Sequence, residues 1–378
     1  MTPLFTRRLA LSLGTASLLV GRTALAKSAD WVTVSADEAG FPSDLNACFD
    51  AAVTAGKLTN LHGVVALHRG RIFFERYIAG ADFAGGEPLG TIAFGPETLH
   101  DMRSVTKSVV GLLYGIALGQ KKVPAPDQPL LASFPEYADL ARDPARLRLT
   151  VASALTMTLG VQWHEGGLPY TSSANGEIAM NEAPDRYRYI LEQPIVAPPG
   201  ELWNYSGGAA ALVGKLIEKG TGQSLPAFAE AVLFAPLGIE GAEWRRNRNG
   251  EINSASGVRL TPRDLARIGQ MVLQGGRWND RPVVPTAWLD SSFTPAGMVF
   301  PGEDYGYLWR VGEMGTRTAN GNRRHRYRLA WGNGGQCLAI FPDSELVVAI
   351  VSGAYDDPSQ RRGPDTLLRE VLLANLSV

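Results

Sequence analysis

The sequence predicts an α/β domain in which sheet-forming segments at both ends of the chain bracket a long helical insertion. Three observations carry that expectation. Two short apolar runs near the start, Gly63–Gly70 and Arg71–Ile78, meet at a tight Arg69-Gly70 turn and read as a hairpin. From about Lys121 to Gln274 the pattern is mostly helical, with Pro/Gly breaks at 124–128, 166–169, 198–200 and 235–238. Strand-like runs then return at Tyr305–Val311, Cys337–Phe341 and Leu346–Ser352, before a closing helix over about 364–376. A sheet whose strands lie on both sides of an insertion is one layered domain, not two in series.

Composition is that of ordinary globular material: 45% hydrophobic, 19% charged and a net charge of −1 over 378 residues. Nothing in that balance points to a nucleic-acid partner. The first 26 residues read as an export signal, not fold. Arg7 and Arg8 supply a basic start, an apolar stretch runs to Val20, and Ala24-Leu25-Ala26 is a small-residue cleavage site. The arginine pair suits a twin-arginine signal, and also an ordinary one. The expectation is a periplasmic or secreted protein, residues 27–378, with no membrane span after cleavage. Export permits a disulfide, but Cys48 and Cys337 sit in apolar contexts that suit buried thiols. The five histidines are scattered, and no Cys/His cluster resembles a metal site.

Taken in order, Leu45–Ala55 reads as a helix ending near Gly56, and residues 80–95 as a glycine-rich loop. The segment Asp101–Leu118 follows; it begins polar and becomes apolar from Val109 on nearly every side, which predicts a buried helix. Ser104 and Lys107 lie three apart at its start, on one face. A hydroxyl at a helix N-terminus faces unpaired N–H groups and the positive end of the dipole. A lysine desolvated beside it is expected to have a lowered pKa and to serve as base. Spacing alone is also met by a capped helix with a solvated lysine; burial of the helix is what makes the pair notable. Leu149–Gly160 predicts a helix capped by Thr150 and ending on Gly160, and Thr261–Leu273 one capped by Thr261 with Pro262 in its first turn.

Two further stretches matter. In Pro198–Gly208, Tyr205 sits in a tight loop before a helix, where a nearby ammonium would favour its ionised form; a packing tyrosine is the plainer alternative. In Ala330–Leu338, Asn333 and three glycines precede a strand and offer a backbone that a substrate can approach closely; a simple glycine turn reads equally. Trp163–Ser173 and the aromatics Tyr305, Tyr307 and Trp309 are candidate pocket walls, and Arg323–Arg328 reads as a solvated hairpin tip.

Together, the order Ser104-x-x-Lys107, Tyr205-Ser-x, then a glycine-rich loop before a strand resembles the serine β-lactamase and penicillin-binding protein superfamily. It is most similar to the class C-type branch, which includes class C β-lactamases, D-alanyl-D-alanine carboxypeptidases, family VIII carboxylesterases and 6-aminohexanoate-dimer hydrolases. The resemblance covers about residues 45–375 and is supported by Leu155–Gly160, Pro198–Gly200, Ala235–Ile239 and Arg259–Ala266. It implies a β-lactamase/transpeptidase-like fold, a mainly antiparallel sheet flanked by helices with a helical subdomain over about 121–274. It implies Ser104 as the acylated nucleophile, Lys107 as base or proton relay, and Tyr205 for the second proton transfer. The Asn333–Gln336 loop would replace the family's Lys-Thr-Gly, with the Gln336 N–H as oxyanion donor beside Ser104 and Gly335, Asn333 and Gly207 around the substrate. No metal or other cofactor is implied. Two departures stand out: Gly207 replaces the usual Asn of Tyr-x-Asn, and the third motif lacks its lysine. Those side chains hold a β-lactam, so the expectation is an esterase or amidase acting on a small ester, amide or short peptide. A carboxypeptidase or β-lactamase is the alternative, and a sensor that acylates without turnover is the alternative of another class.

Overall fold

The computed structural model describes residues 31–318 and 321–376; the expected export signal lies outside them. Helix α1 (Leu45–Thr54) stops just before Gly56, whose φ is 66°. Strands β1 (Leu61–His68) and β2 (Arg71–Tyr77) form the first hairpin, with Arg69 and Gly70 both left-handed at φ 51° and 74°. Two consecutive positive φ values give a two-residue turn that matches strand twist. Residues 80–95 are not the loop that glycine content predicted. They hold a second hairpin, β3 (Gly80–Ala84) and β4 (Glu87–Ile92), turned by Gly85 and Gly86 at φ 71° and 92°. The short β5 (His100–Asp101) leads into α2 (Val105–Gly119).

The middle of the chain carries α3 (Val151–Leu155), α4 (Gly176–Glu182), α5 (Arg186–Glu192), α6 (Gly207–Thr221), α7 (Leu225–Ala229) and α8 (Ala235–Leu237). After them come β6 (Glu243–Trp244), β7 (Val258–Leu260) and α9 (Pro262–Leu273). Strand β7 pairs with β5 and β6, so the insertion is stitched to the segment ahead of Ser104. Thr150 caps α3 as expected, but that helix ends at Leu155, well before Gly160. The Thr156 hydroxyl bonds back to the Ala152 carbonyl and to Thr158, and Met157 turns left-handed at φ 58°. Threonine hydroxyls that compete for backbone groups end a helix early.

The remainder is β8 (Arg277–Trp278), β9 (Arg281–Pro282), α10 (Thr286–Ser292), β10 (Gly297–Phe300), β11 (Glu303–Tyr305), β12 (Arg310–Thr318), β13 (Gly321–Gly332), β14 (Gln336–Phe341), β15 (Leu346–Ser352) and α11 (Arg362–Thr366). The helical path of α11 continues in tighter and wider turns to Asn375. Eight strands form one antiparallel sheet in the order β10-β11-β12-β13-β14-β15-β1-β2, so the first hairpin docks on the last strand. Two predicted segments differ here. Tyr305–Val311 is interrupted, because Leu308 is left-handed at φ 59° and gives its N–H to the Leu155 carbonyl. Arg323–Arg328 is paired strand within β13 and not a hairpin tip.

Alternation along β1 explains the layering. Val65 and Leu67 join a core shared with α2 and α9, while Val64 and Ala66 join a second core with α1 and the C-terminal helix. Helix α2 is buried from Val105 through Ala117. Both cysteines are free thiols, with Cys337 in the core.

Candidate active site

Ser104 is held by the short strands in front of it. Asp101 is 1% exposed, ion-pairs with Arg259 at 2.9 Å and accepts the Gly85 N–H at 2.9 Å. The Met102 N–H reaches the Val258 carbonyl at 2.9 Å. Arg103 then turns left-handed at φ 47°, an unfavourable conformation costing roughly 1–3 kcal/mol for a non-glycine residue, and Ser104 opens α2. Its guanidinium lies 4.7 Å above the Tyr355 ring, which helps to hold that turn.

One helical turn on, the Lys107 ammonium donates to Ser104 Oγ at 3.0 Å and to the Ala255 carbonyl at 3.0 Å. It also lies 4.8 Å from the centre of the Tyr205 ring. The structure therefore brings Ser104, Lys107 and Tyr205 into one site, although Tyr205 is about a hundred residues further along the chain. The expectation of a lowered lysine pKa is corrected. Burial alone would push it down, but Tyr205 and then the Glu177 and Glu165 carboxyls outweigh burial and hold it above the usual lysine value.

Those two carboxyls are the residues that sequence reasoning missed. Glu165 is 2% exposed; it accepts from Gly207 N–H at 2.6 Å, Trp163 Nε1 at 2.8 Å and the Tyr170 hydroxyl at 3.0 Å. Burial, then the neighbouring Glu177, pushes its pKa up to about 7 against the pull of Lys107. Glu177 accepts from Ser256 at 2.9 Å, and its second oxygen is buried without a partner. Gly207 is now explained. A Cβ there would lie 2.8 Å from Glu177 and 3.2 Å from Glu165, so the carboxyls fill the space a side chain would need. The signal in sequence was slight: an acid beside Trp163, within a stretch read only as a wall.

In the glycine-rich loop the polar side chains are engaged away from Ser104. Gln336 is fully buried on β14 opposite Gly332, and its amide bonds to both backbone groups of Ser352 on β15. Asn333 is tied to Asp356 by two bonds, at 2.7 and 3.0 Å, and the Gly334 N–H goes to Gln360 at 2.6 Å. Gly334 and Gly335, at φ 92° and 90°, make the turn between β13 and β14. The Asn333 and Gln336 side chains are thus committed to Asp356 and Ser352 and do not line the Ser104 pocket, while Gln336 Cβ stays near Gly332, next to the Ser104 nitrogen. The wall beside Ser104 is β13 itself, through Leu329, Trp331 and Gly332. A Cβ on Gly332 would come 2.5 Å from the Met102 carbonyl and 3.1 Å from the Ser104 nitrogen. Only glycine allows that approach.

The narrow pocket over Ser104 is lined by Tyr205, Tyr305, Leu308, Arg310, Leu329 and Trp331. Arg310 is ion-paired to Glu303, which is buried and also bound by Arg361 and Tyr327. Of the other aromatics proposed as walls, Trp309 is core, Tyr307 packs on Trp288, and Trp163 lies beneath the site. The histidines are less scattered in space than in sequence: His62 and His100 meet beside Asp82.

Proteins of similar sequence and fold show the family to which the chain belongs. The family pattern described as Beta-lactamase matches residues 49–373. The chain belongs to the Beta-lactamase family. Among curated relatives it is 30% identical to esterase EstB of Burkholderia gladioli over 222 residues, 57% of this chain and 54% of that one. The match thus spans about half the length of that relative. It is 25% identical over 287 residues to the 6-aminohexanoate-dimer hydrolase of Paenarthrobacter ureafaciens, covering 71% and 69% of the two chains. Among solved structures it resembles EstCE1, a hydrolase with promiscuous acyltransferase activity, with TM-score 0.63 and 16% identity over 84% of this chain and 96% of that one. That last likeness speaks to the β-lactamase/transpeptidase-like fold, which the eight-stranded antiparallel sheet and its flanking helices make plain in this Beta-lactamase family member.

Proposed function

We propose that the protein is a serine hydrolase that cleaves a small, uncharged ester, or a comparable amide, through an acyl-enzyme on Ser104. The observation that carries this reading is the buried 3.0 Å contact from Lys107 to Ser104 Oγ with Tyr205 alongside. Ser104 Oγ attacks the carbonyl carbon, and its proton passes to the Lys107–Tyr205 pair. That pair is reactive when it holds one proton fewer than ammonium plus phenol. Tyr205 then protonates the leaving alkoxide or amine. Water attacks the acyl-enzyme by the reverse route and releases the acid. The Ser104 N–H at the start of α2 is one donor to the oxyanion.

The pocket supports esters over carboxylate-bearing substrates. Tyr205, Tyr305, Leu308, Leu329 and Trp331 line it beside Ser104 and Ser108, Arg310 is already neutralised by Glu303, and Lys107 is already engaged. A β-lactam or a D-alanyl peptide would bring a carboxylate with no free cation to meet among the described lining residues. Being related to a protein named as an esterase supports the same reading. The basic and apolar N-terminus supports export to the periplasm. The test is turnover of p-nitrophenyl acetate and butyrate beside a cephalosporin and a D-alanyl-D-alanine peptide. Preferred hydrolysis of the esters, lost in Ser104→Ala, is expected; faster cleavage of the cephalosporin would overturn the substrate assignment.

A further inference from the structure

Three side chains from separate strands meet in the interior, away from the Ser104 pocket. His62 comes from β1, Asp82 from β3 and His100 from β5, and they are 2%, 1% and 0% exposed. His62 Nδ1 is 3.0 Å from His100 Nε2, and Asp82 Oδ1 is 3.4 Å from the same nitrogen. One ligand atom from each residue lies within 4.8 Å of the other two.

Hydrogen bonding alone leaves one atom of this cluster, Asp82 Oδ2, unsatisfied. His100 Nδ1 faces the Asp101 carbonyl at 3.2 Å, which assigns the ring proton to Nδ1 and leaves a lone pair on Nε2. That lone pair faces a carboxylate oxygen. His62 Nδ1 can supply one proton between them and no more. Asp82 Oδ1 receives the Tyr355 hydroxyl at 3.0 Å, while Asp82 Oδ2 is buried with no partner at all. An orphaned carboxylate oxygen in the interior is costly.

A divalent cation resolves the conflict. Two nitrogen ligands at ~2.0–2.1 Å in tetrahedral geometry stand ~3.3 Å apart, close to the 3.0 Å between His62 Nδ1 and His100 Nε2. Two imidazoles and one carboxylate form a donor set suited to zinc. The surroundings are those of a built site: the Asp101 carbonyl orients His100, and the Tyr355 hydroxyl orients Asp82. The His62 ring is stacked on Phe94 at 4.2 Å. It is also clamped between Gly80 and Gly353, where a Cβ would come within 2.7 and 2.4 Å of the imidazole.

We propose that His62, Asp82 and His100 bind a structural zinc ion, with Asp82 Oδ2 or a water completing the sphere. The ion would tie β1, β3 and β5 together directly ahead of the serine helix. Through Tyr355, which packs on Gly334 and under Arg103, it would also brace the turn behind the site. This assignment does not depend on the hydrolase reading.

The experiment is metal analysis of the full chain purified without chelator or metal-affinity resin, before and after incubation with zinc chloride and gel filtration. Stoichiometric zinc is expected in the wild type, with its loss in His100→Gln and in the milder Asp82→Asn. Zinc should raise the melting temperature of the wild type only. Cobalt(II) soaked into the metal-free wild type should give the visible bands of a tetrahedral site. Sub-stoichiometric zinc both before and after incubation, with no shift in melting temperature, would overturn the proposal. So would zinc retained undiminished in a folded Asp82→Asn.

Discussion

Replacing Gly332 with alanine perturbs the closest approach between the sheet and the nucleophile. The added Cβ would lie 2.5 Å from the Met102 carbonyl and 3.1 Å from both the Ser104 nitrogen and Gln336 Cβ. Ordinary contact begins near 3.4 Å, so strand and nucleophile segment must separate by about 0.9 Å. Two of the three obstructing atoms are backbone, and no rotamer change relieves them. A displacement of about 1 Å at reacting groups costs roughly 100-fold in rate. The overpacking itself costs about 1–3 kcal/mol of stability. The assay is kcat and KM for p-nitrophenyl acetate, with chemical denaturation to follow stability. The expected result is a fall in kcat of roughly 100-fold in a protein that is still folded. Gly315→Ala is the control, because in the same sheet its Cβ meets nothing closer than 4.0 Å. If Gly332→Ala kept kcat within about twofold of wild type, the claim that this approach positions Ser104 would be wrong.

Other outcomes follow from the same geometry. Lys107→Met should reduce kcat by roughly 1,000-fold or more, since general-base help is worth 10²–10⁴; a loss confined to KM would speak against a proton-transfer role. Glu165→Gln removes a carboxyl that helps to raise the Lys107 pKa, so the pH–rate profile should move to lower pH above about pH 7, where Glu165 is ionised, and an unmoved profile there would exclude that coupling. Folded Glu165 holds its proton to about pH 7, while the unfolded residue loses it near 4.5. The unfolded state then binds fewer protons across that window, so stability should fall as pH rises through it. Glu165→Gln should flatten that fall in denaturation curves measured at pH 5 and pH 7.5. Thr261→Ala breaks the capping box with Asp264 that starts α9 and should cost about 1 kcal/mol by urea denaturation.

Periodicity made much of this fold legible. The apolar run after Ser104, the Thr261-Pro262 start and the two-residue turn at Arg69-Gly70 are local signals, and the structure follows them. Residues whose role depends on distant partners were less readable. Gly85 and Gly86 turn a hairpin that glycine content disguised as loop. Gly334 and Gly335 are real turn residues, yet the Gln336 side chain is turned away from Ser104, because its amide is claimed by Ser352 on a strand sixteen residues later. Glu165 and Glu177 carry no motif. They reach the site only because α4 and the loop after Trp163 fold beneath α6, and no spacing in the chain encodes that. The lysine pKa was misjudged for the same reason: burial was visible in the sequence, whereas the compensating carboxyls were not.

The central claim is that Ser104 Oγ forms the covalent intermediate. Intact-mass analysis after a fluorophosphonate, followed by peptide mapping, addresses it directly. One adduct on the peptide containing Ser104 is expected, absent from Ser104→Ala and slow to form in Lys107→Met. An adduct on another serine, or equal labelling of Ser104→Ala, would contradict it.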